Sequence, residues 1–216
     1  MKVFILESPN PNDLLDGRNE AESLVSICKM FYHKATSFFI KNRNELNDVL
    51  KYITDVKAVG NDIFCYHFSC HGNSDGLWFG PDFINWDQFA ITIMPILENR
   101  TLMNRCILVI SACGANEQDF TKKISKLEDE AKNAIAPPSY LFVYDDDDVV
   151  WKDALLSWTI LYHRLSNAKQ IEKEDMQELL ENMKIVEFGK LIYYRWDLDK
   201  KKYLRFRPAD EVVSGK

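Results

Sequence analysis

The sequence predicts an α/β fold with a mostly parallel central sheet covered by helices on both faces. Three observations carry this. Short apolar, β-branched runs alternate with stripes of helical period, at the spacing that right-handed crossovers between parallel strands require. Two runs, IFCYHF at 63–68 and RCILVI at 105–110, are almost wholly apolar, which marks strands buried on both sides. Near the C-terminus, 191–194 and 202–207 flank the turn DLDKK and read as a terminal strand pair after two helices.

Lys2 to Leu6 is the first strand, closed by ESPNPNDLLDG, whose Pro, Asn, Asp and Gly residues punctuate a loop. From Asn19 to Tyr32, apolar residues at 21, 24, 25, 28, 31 and 32 recur at helical spacing. Thr36 to Ile40 is the second strand, and Leu46, Val49, Leu50 and Ile53 form the next helical stripe, with Asn44 as its expected cap. Ile63 to Phe68 is the third strand. After it, SCHGNSDGLWFG is a loop in which Leu77 to Phe79 forms a small extra strand or a turn arm. Trp86 to Leu97 reads as a helix behind an Asn85 cap, shortened or kinked by Pro95. Arg105 to Ile110 is the fourth strand. Helical residues then run from Ala115 to Ala134, stopped by Pro137 and Pro138, and Ser139 to Tyr144 is the fifth strand. Trp151 to Leu165 and Glu172 to Met183 are the last two helices, with Trp158 expected in the core beside Leu155 and Tyr162.

A chain of 216 residues is long enough for one sizeable core and too short for two ordinary domains with a linker. Residues 1–216 are therefore expected to form a single domain, with 166–216 as a C-terminal extension packed on the same core. The formal charge of -6 argues against nucleic acid as the main partner, because phosphate binding needs a basic field that only the Lys200 to Lys202 cluster supplies. Five Cys residues, an odd number set mostly in apolar runs, fit reduced thiols rather than a disulfide framework. The opening MKVFILESPN lacks the length of a signal peptide, and no run reaches the roughly 18 apolar residues of a membrane helix. A cytoplasmic protein without a membrane partner is the expectation.

In such folds the site forms from loops that leave the C-terminal ends of the strands. That rule puts the 69–76 loop and the 111–116 loop on one rim, where FSCHG and ISACG each present a reactive side chain just as an apolar run stops. His71 lies in neither a helical stripe nor a strand interior, and Gly72 and Gly76 allow the main chain to approach a ligand or turn sharply. Cys28, Cys65 and Cys106 look like small buried apolar residues, and Cys70 fits that role too. Cys113 differs, because Gly114 and Ala115 follow it and a helix starts soon after, whose free N–H groups would favour a thiolate. Each has a plain alternative, a loop histidine and a core cysteine without chemical tasks. As a pair they supply what thiolate chemistry on an acyl group needs: Cys113 to attack, His71 to protonate the departing amine, and the backbone amides of Gly72 and Cys113 to face the oxyanion. A backbone carbonyl would orient the imidazole, or Asp75 would do so while lining the pocket.

These residues resemble the caspase-like cysteine peptidases, the group that includes caspases, gingipains, legumain and separase, and look closest to its CHAT branch. In that family one strand ends in an apolar run followed by His-Gly and its neighbour ends in a small residue, Ala and the nucleophilic Cys; the matches are His71-Gly72 after IFCYHFSC and Ser111-Ala112-Cys113 after RCILVI. The likeness extends coarsely from Met1 to about Tyr162. It implies a caspase-like three-layer α/β/α sandwich, a cysteine endopeptidase working through a His-Cys dyad and an acyl-enzyme, and a protein or peptide substrate. It also implies a setting in bacterial regulated proteolysis or defence. Separately, the small size without a recognisable regulatory domain leads us to expect control by an activating or inhibiting protein partner, and no cofactor and no metal are expected. The caspase signature has Gln before Ala-Cys, where Ser111 stands, and a Gly two residues beyond the Cys, where Ala115 stands, so cleavage after Asp does not carry over.

Asp145 to Asp148 leave the fifth strand as four adjacent carboxylates whose mutual repulsion a cation or basic peptide would relieve. If that strand lies beside the Cys113 strand, Asp146 and Asp148, with Asp75 as competitor, make an anionic wall for Lys or Arg, and Trp78 an aromatic one. The spacing does not match a calcium loop, and HExxH is absent. His67, Cys70 and His71 lack a second ligand cluster for zinc. Two other classes stay open. ESPNPNDLLDG is polar enough for a phosphate or nucleotide loop but lacks the glycine spacing, and Glu7 there reads better as a helix-cap partner. YYRWDLDKKKYLRFRP suits an exposed edge hairpin of a non-catalytic interaction subunit.

Overall fold

The computed structural model describes residues 1–56, 62–115, 119–144, 148–166, 171–185 and 191–206. Its centre is one sheet in the order β2 (Lys34–Phe39), β1 (Lys2–Ser8), β3 (Phe64–Asn73), β6 (Cys106–Ser111), β7 (Tyr140–Tyr144), β8 (Leu191–Asp197), β9 (Lys202–Phe206). The first five of these run parallel and the last two antiparallel. Beyond its pairing with β1 and β6, β3 continues into a hairpin with β4 (Gly76–Phe79), which pairs in turn with β5 (Asp82–Asn85). The predicted extra strand at 77–79 is thus half of a two-stranded arm. The fold class is the predicted one.

Period-two alternation along the strands fills two cores. Phe64, Tyr66, Phe68 and Cys70 of β3 face one layer with Leu108 and Ile110 of β6; that layer holds α3 (Arg43–Thr54), α4 (Trp86–Thr92), α5 (Met94–Glu98) and α6 (Asp119–Ala131). Cys65 of β3 with Ile107 and Val109 of β6 face the other, under α2 (Glu20–Met30), α7 (Trp151–Leu165) and α8 (Lys173–Ile185). Trp158 and Tyr162 of α7 are fully buried there, as their place on the apolar face predicts. Each such side chain contributes roughly 2–3 kcal/mol of transfer free energy, so α7 is anchored by burial more than by propensity.

The local rules mostly set the boundaries. Asn19 caps α2 through Glu22 N, and Asn85 caps α4 in a reciprocal box with Gln88. Pro95 does break the 86–97 helix, which divides into α4 and α5 at Ile93. Three expectations need correction. His71, expected outside any strand, lies inside β3, because that strand runs on past its β6 partner into the pairing with β4. α3 starts two residues earlier than predicted, with Asn42 rather than Asn44 as the cap, because Asn42 places Glu45 at the third helical position, where its amide reaches the Asn42 side chain. The loop after β1 is not irregular throughout: Pro11–Leu15 forms a short helix, α1.

Candidate active site

β3 and β6 are neighbours in parallel register, and their last pair is Ser69 opposite Ser111. His71 and Cys113 each lie two residues further on, at adjacent tips and about one strand spacing, ~4.8 Å, apart in the main chain. Odd-numbered residues of both strands face the α2 and α7 layer, so His71 follows Ser69 onto that face. The two tips touch through their glycines. A Cβ on Gly72 would stand 2.7 Å from the Cys113 carbonyl oxygen and 3.0 Å from the Ala112 Cβ, inside any real contact. Gly114, with φ of 65°, is pressed in the same way against the main chain of Asn73 and Ser74. Any side chain at these positions would push the two loops apart.

The His71 ring is held from below by α1. Its Nε2 lies 2.6 Å from Asp13 Oδ2 and 3.0 Å from Asn10 Nδ2. Asn10 Oδ1 already accepts from the amides of Asn12 and Asp13, which fixes the Asn10 amide with its nitrogen toward the ring. The shorter contact, to a carboxylate oxygen, assigns the Nε2 proton to Asp13, so the Asn10 Nδ2 contact is packing against the ring and not a second hydrogen bond. Neutral imidazole then keeps its lone pair on Nδ1. Asp13 is almost fully buried, also accepts from Asn10 N at 3.0 Å, and has Arg18 Nη1 at 3.6 Å. His71 itself is half exposed, open to a ligand on its other edge.

Cys113 is half-buried and accepts one hydrogen bond at sulfur, from Val149 N at 3.3 Å. The donor expected from the following helix is thus found on the segment that leaves β7; α6 starts at Asp119, and 116–118 lie outside the described residues. Burial pushes the Cys28 and Cys65 thiols up to about 12 and raises those of Cys70 and Cys106 too. Those four are packing residues.

Other predicted positions fall unevenly around this pair. Trp78 stands opposite His71 in the β3–β4 register, its ring 4.6 Å from Phe83, and so flanks the imidazole. Asp148 is exposed and adjoins Val149, hence close to the sulfur, whereas Asp146 lies outside the described residues. Asp75 sits exposed at the tip of the β3–β4 hairpin, its amide bound by Asn73 Oδ1 and its carbonyl by Trp86 N. It does not orient the imidazole, nor does a carbonyl. Asp13 does, and sequence reasoning passed over it because a five-residue helix leaves no periodicity to read. The available signal was Asn10-Pro11-Asn12-Asp13, an N-cap, a Pro at the first helical position and an acid at the third. The polar loop considered for phosphate is taken up by that helix. Glu7 is a helix-cap partner as expected, accepting from the amides of Glu20 and Ala21.

His67 shares the face of His71, fully buried against Glu20 and Tyr162. Among the described residues no three His, Cys, Asp or Glu side chains gather as a metal-ligand set, and no helix is long and apolar enough to cross a membrane.

In backbone the chain is similar to the X-ray structure of iotapain, a secreted C11 cysteine protease from Bacteroides thetaiotaomicron, with a TM-score of 0.50 at 7% identity. The fold is caspase-like. The match covers 90% of this chain and 66% of that one, so the chain spans about two thirds of the length of the protein it resembles. At that identity the likeness speaks for the fold alone. No protein-family model matches the sequence, and no curated protein matches it either.

Proposed function

We propose that the chain is a cysteine endopeptidase in which Cys113 is the nucleophile, His71 the general acid and base, and Asp13 the group that holds the imidazole. The arrangement that carries this reading is the in-register pair of strand tips, with an anion on one imidazole nitrogen and a backbone N–H on the neighbouring sulfur. The Cys113 thiol gives its proton to His71 Nδ1 as the sulfur bonds to the scissile carbonyl carbon. Charge gathers on the former carbonyl oxygen, faced by the amides of Gly72 and Cys113. His71 then returns the proton to the leaving amine, the C–N bond breaks, and a thioester remains. Water attacks that thioester with its proton passing to His71, and the imidazolium reprotonates the departing sulfur.

On this reading the exposed carboxylates of Asp148, beside the Val149 donor, and of Asp75 favour a cation and Trp78 offers an aromatic wall, so the preferred substrate is a protein or peptide with a basic residue before the cut. The likeness to a C11 protease supports the caspase-like group and does not favour the CHAT branch within it. The test is mass-spectrometric profiling of a peptide library with the wild-type chain, C113A and H71A. New C-termini enriched in Lys or Arg should appear with wild type only. Equal cleavage by C113A would rule the mechanism out, and inert wild-type protein would favour a non-catalytic interaction subunit.

A further inference from the structure

Directly beneath the two strand tips lies a buried polar cluster that the reaction just described does not use. Glu20, at the first turn of α2, is 3% exposed. Its Oε2 accepts from Ser69 Oγ and from Ser111 Oγ, each at 3.1 Å, and its Oε1 lies 3.0 Å from His67 Nε2. Ser111 Oγ also accepts from Trp158 Nε1 at 2.8 Å. His67 Nδ1 is 2.7 Å from the Tyr162 hydroxyl, and burial holds that phenol well above its ordinary value, so it keeps the proton it donates. Every donor in the chain then has an acceptor: Tyr162 O–H to His67 Nδ1, His67 Nε2–H to Glu20, and both serine hydroxyls to Glu20.

Ser69 and Ser111 are the last register pair of β3 and β6; Ser69 stands two residues before His71 on the same face of β3, and Ser111 closes β6 two residues before Cys113. Past that pair the β3–β6 ladder ends, so the separation of the tips rests on the glycine contacts between the loops and on what lies below them. A core that served packing alone would carry apolar side chains at 69 and 111, as it does at Cys65, Ile107 and Val109. Burying a carboxylate and two hydroxyls instead costs several kcal/mol of desolvation unless each is bonded. Such sites recur where geometry is held for function.

We propose that Glu20 is a positioning residue: through Ser69 and Ser111 it clasps the ends of β3 and β6 and so sets the approach of Cys113 to His71. The proposal rests on the peptidase reading for the reaction it serves, though the clasp itself concerns only the two side chains. The Val149 amide donates to the Cys113 sulfur, and the Cys70 thiol lies near enough to interact with it electrostatically.

The experiment compares wild type with Ser69→Ala, Ser111→Ala and Glu20→Gln, reading peptide turnover, the pH profile of Cys113 alkylation by iodoacetamide, and the thermal midpoint. Ser69→Ala removes one hydroxyl, keeps the packing and orphans no other donor, so it stays folded even if Glu20→Gln, or Ser111→Ala, which also frees the Trp158 N–H, does not. The expected result is kcat lower by about tenfold at unchanged KM, since small misplacements of reacting groups cost on this scale. Alkylation near pH 7 should fall by a similar factor and return to the wild-type rate near pH 10, where a thiol ionises without help. Folded serine variants whose turnover and alkylation profile both match wild type would overturn the proposal. If the wild type cleaves no peptide while the alkylation profiles shift as stated, the clasp stands and the peptidase reading alone fails.

Discussion

Asp13 is nearly out of water, its Oδ2 2.6 Å from His71 Nε2, the nitrogen that on the proposed reading carries the proton while Nδ1 acts as base. Its removal should therefore be felt in chemistry more than in binding. Asp13→Asn keeps an acceptor for the Asn10 amide but no longer fixes the imidazole tautomer by charge. The expected outcome is a loss of kcat on the order of 10²–10³ at nearly constant KM, by analogy with the tautomer error in other catalytic triads, read from steady-state kinetics on the best peptide found by profiling. An unchanged kcat would return Asp13 to the role of a helix cap. Arg18, at 3.6 Å from the other oxygen and half exposed, is too loosely held to substitute for that charge.

At the scale of elements, α2 binds the end of β1 to the rim that carries the candidate site. Glu7 Oε1 accepts from Glu20 N at 2.7 Å and from Ala21 N at 3.1 Å, so a side chain from the strand does part of the capping of a helix. Burial raises the Glu7 carboxyl from 4.5 to about 7, outweighing the two amides that lower it, with Glu20 and Asp13 adding in the same direction. Between those values the native chain keeps a proton that the unfolded chain has lost, so stability falls as pH rises through this window. Glu7→Gln retains the acceptor and abolishes the titration. Its thermal midpoint should match wild type near pH 4.5 and exceed it by a few degrees at pH 8, given roughly 2–4 °C per kcal/mol for a chain of this size. A constant difference across that range, by calorimetry, would exclude Glu7 as the titrating group. The same contrast explains what the sequence could carry. His71 and Cys113 were legible because glycines follow apolar runs at both strand ends, a local pattern. Asp13, Glu20, Ser69 and Ser111 acquire meaning only when β1, β3 and β6 are known to adjoin, and strand order leaves no mark in composition or period. The Asn42 cap was misread for a lesser reason, since Asn42 and Asn44 both satisfy a one-residue rule.

Across the whole molecule, the C-terminal hairpin belongs to both cores. Ile192 and Tyr194 of β8 face the α3–α6 layer, while Leu191 and Tyr193 face the α7–α8 layer, where Tyr193 packs edge-on to Tyr140 at 5.3 Å. β8 also supplies the ladder partner for all five residues of β7, the strand whose far end leads to Val149 and the Cys113 sulfur. Removing it would leave β7 as a flat aromatic edge with unpaired backbone groups, an arrangement prone to aggregate. We therefore expect 1–216 to unfold as one unit. Loss of the Trp196 signal, isolated as the difference between wild type and Trp196→Phe, should coincide in guanidinium with the loss of helical circular dichroism. A chain ended at residue 185 should lack native near-ultraviolet dichroism and fail to react selectively at Cys113, because the support for the Val149 donor is gone. If the shortened chain instead kept both properties, or if Trp196 reported an earlier transition, the hairpin would be an appendage and the candidate site would depend on the first seven strands alone.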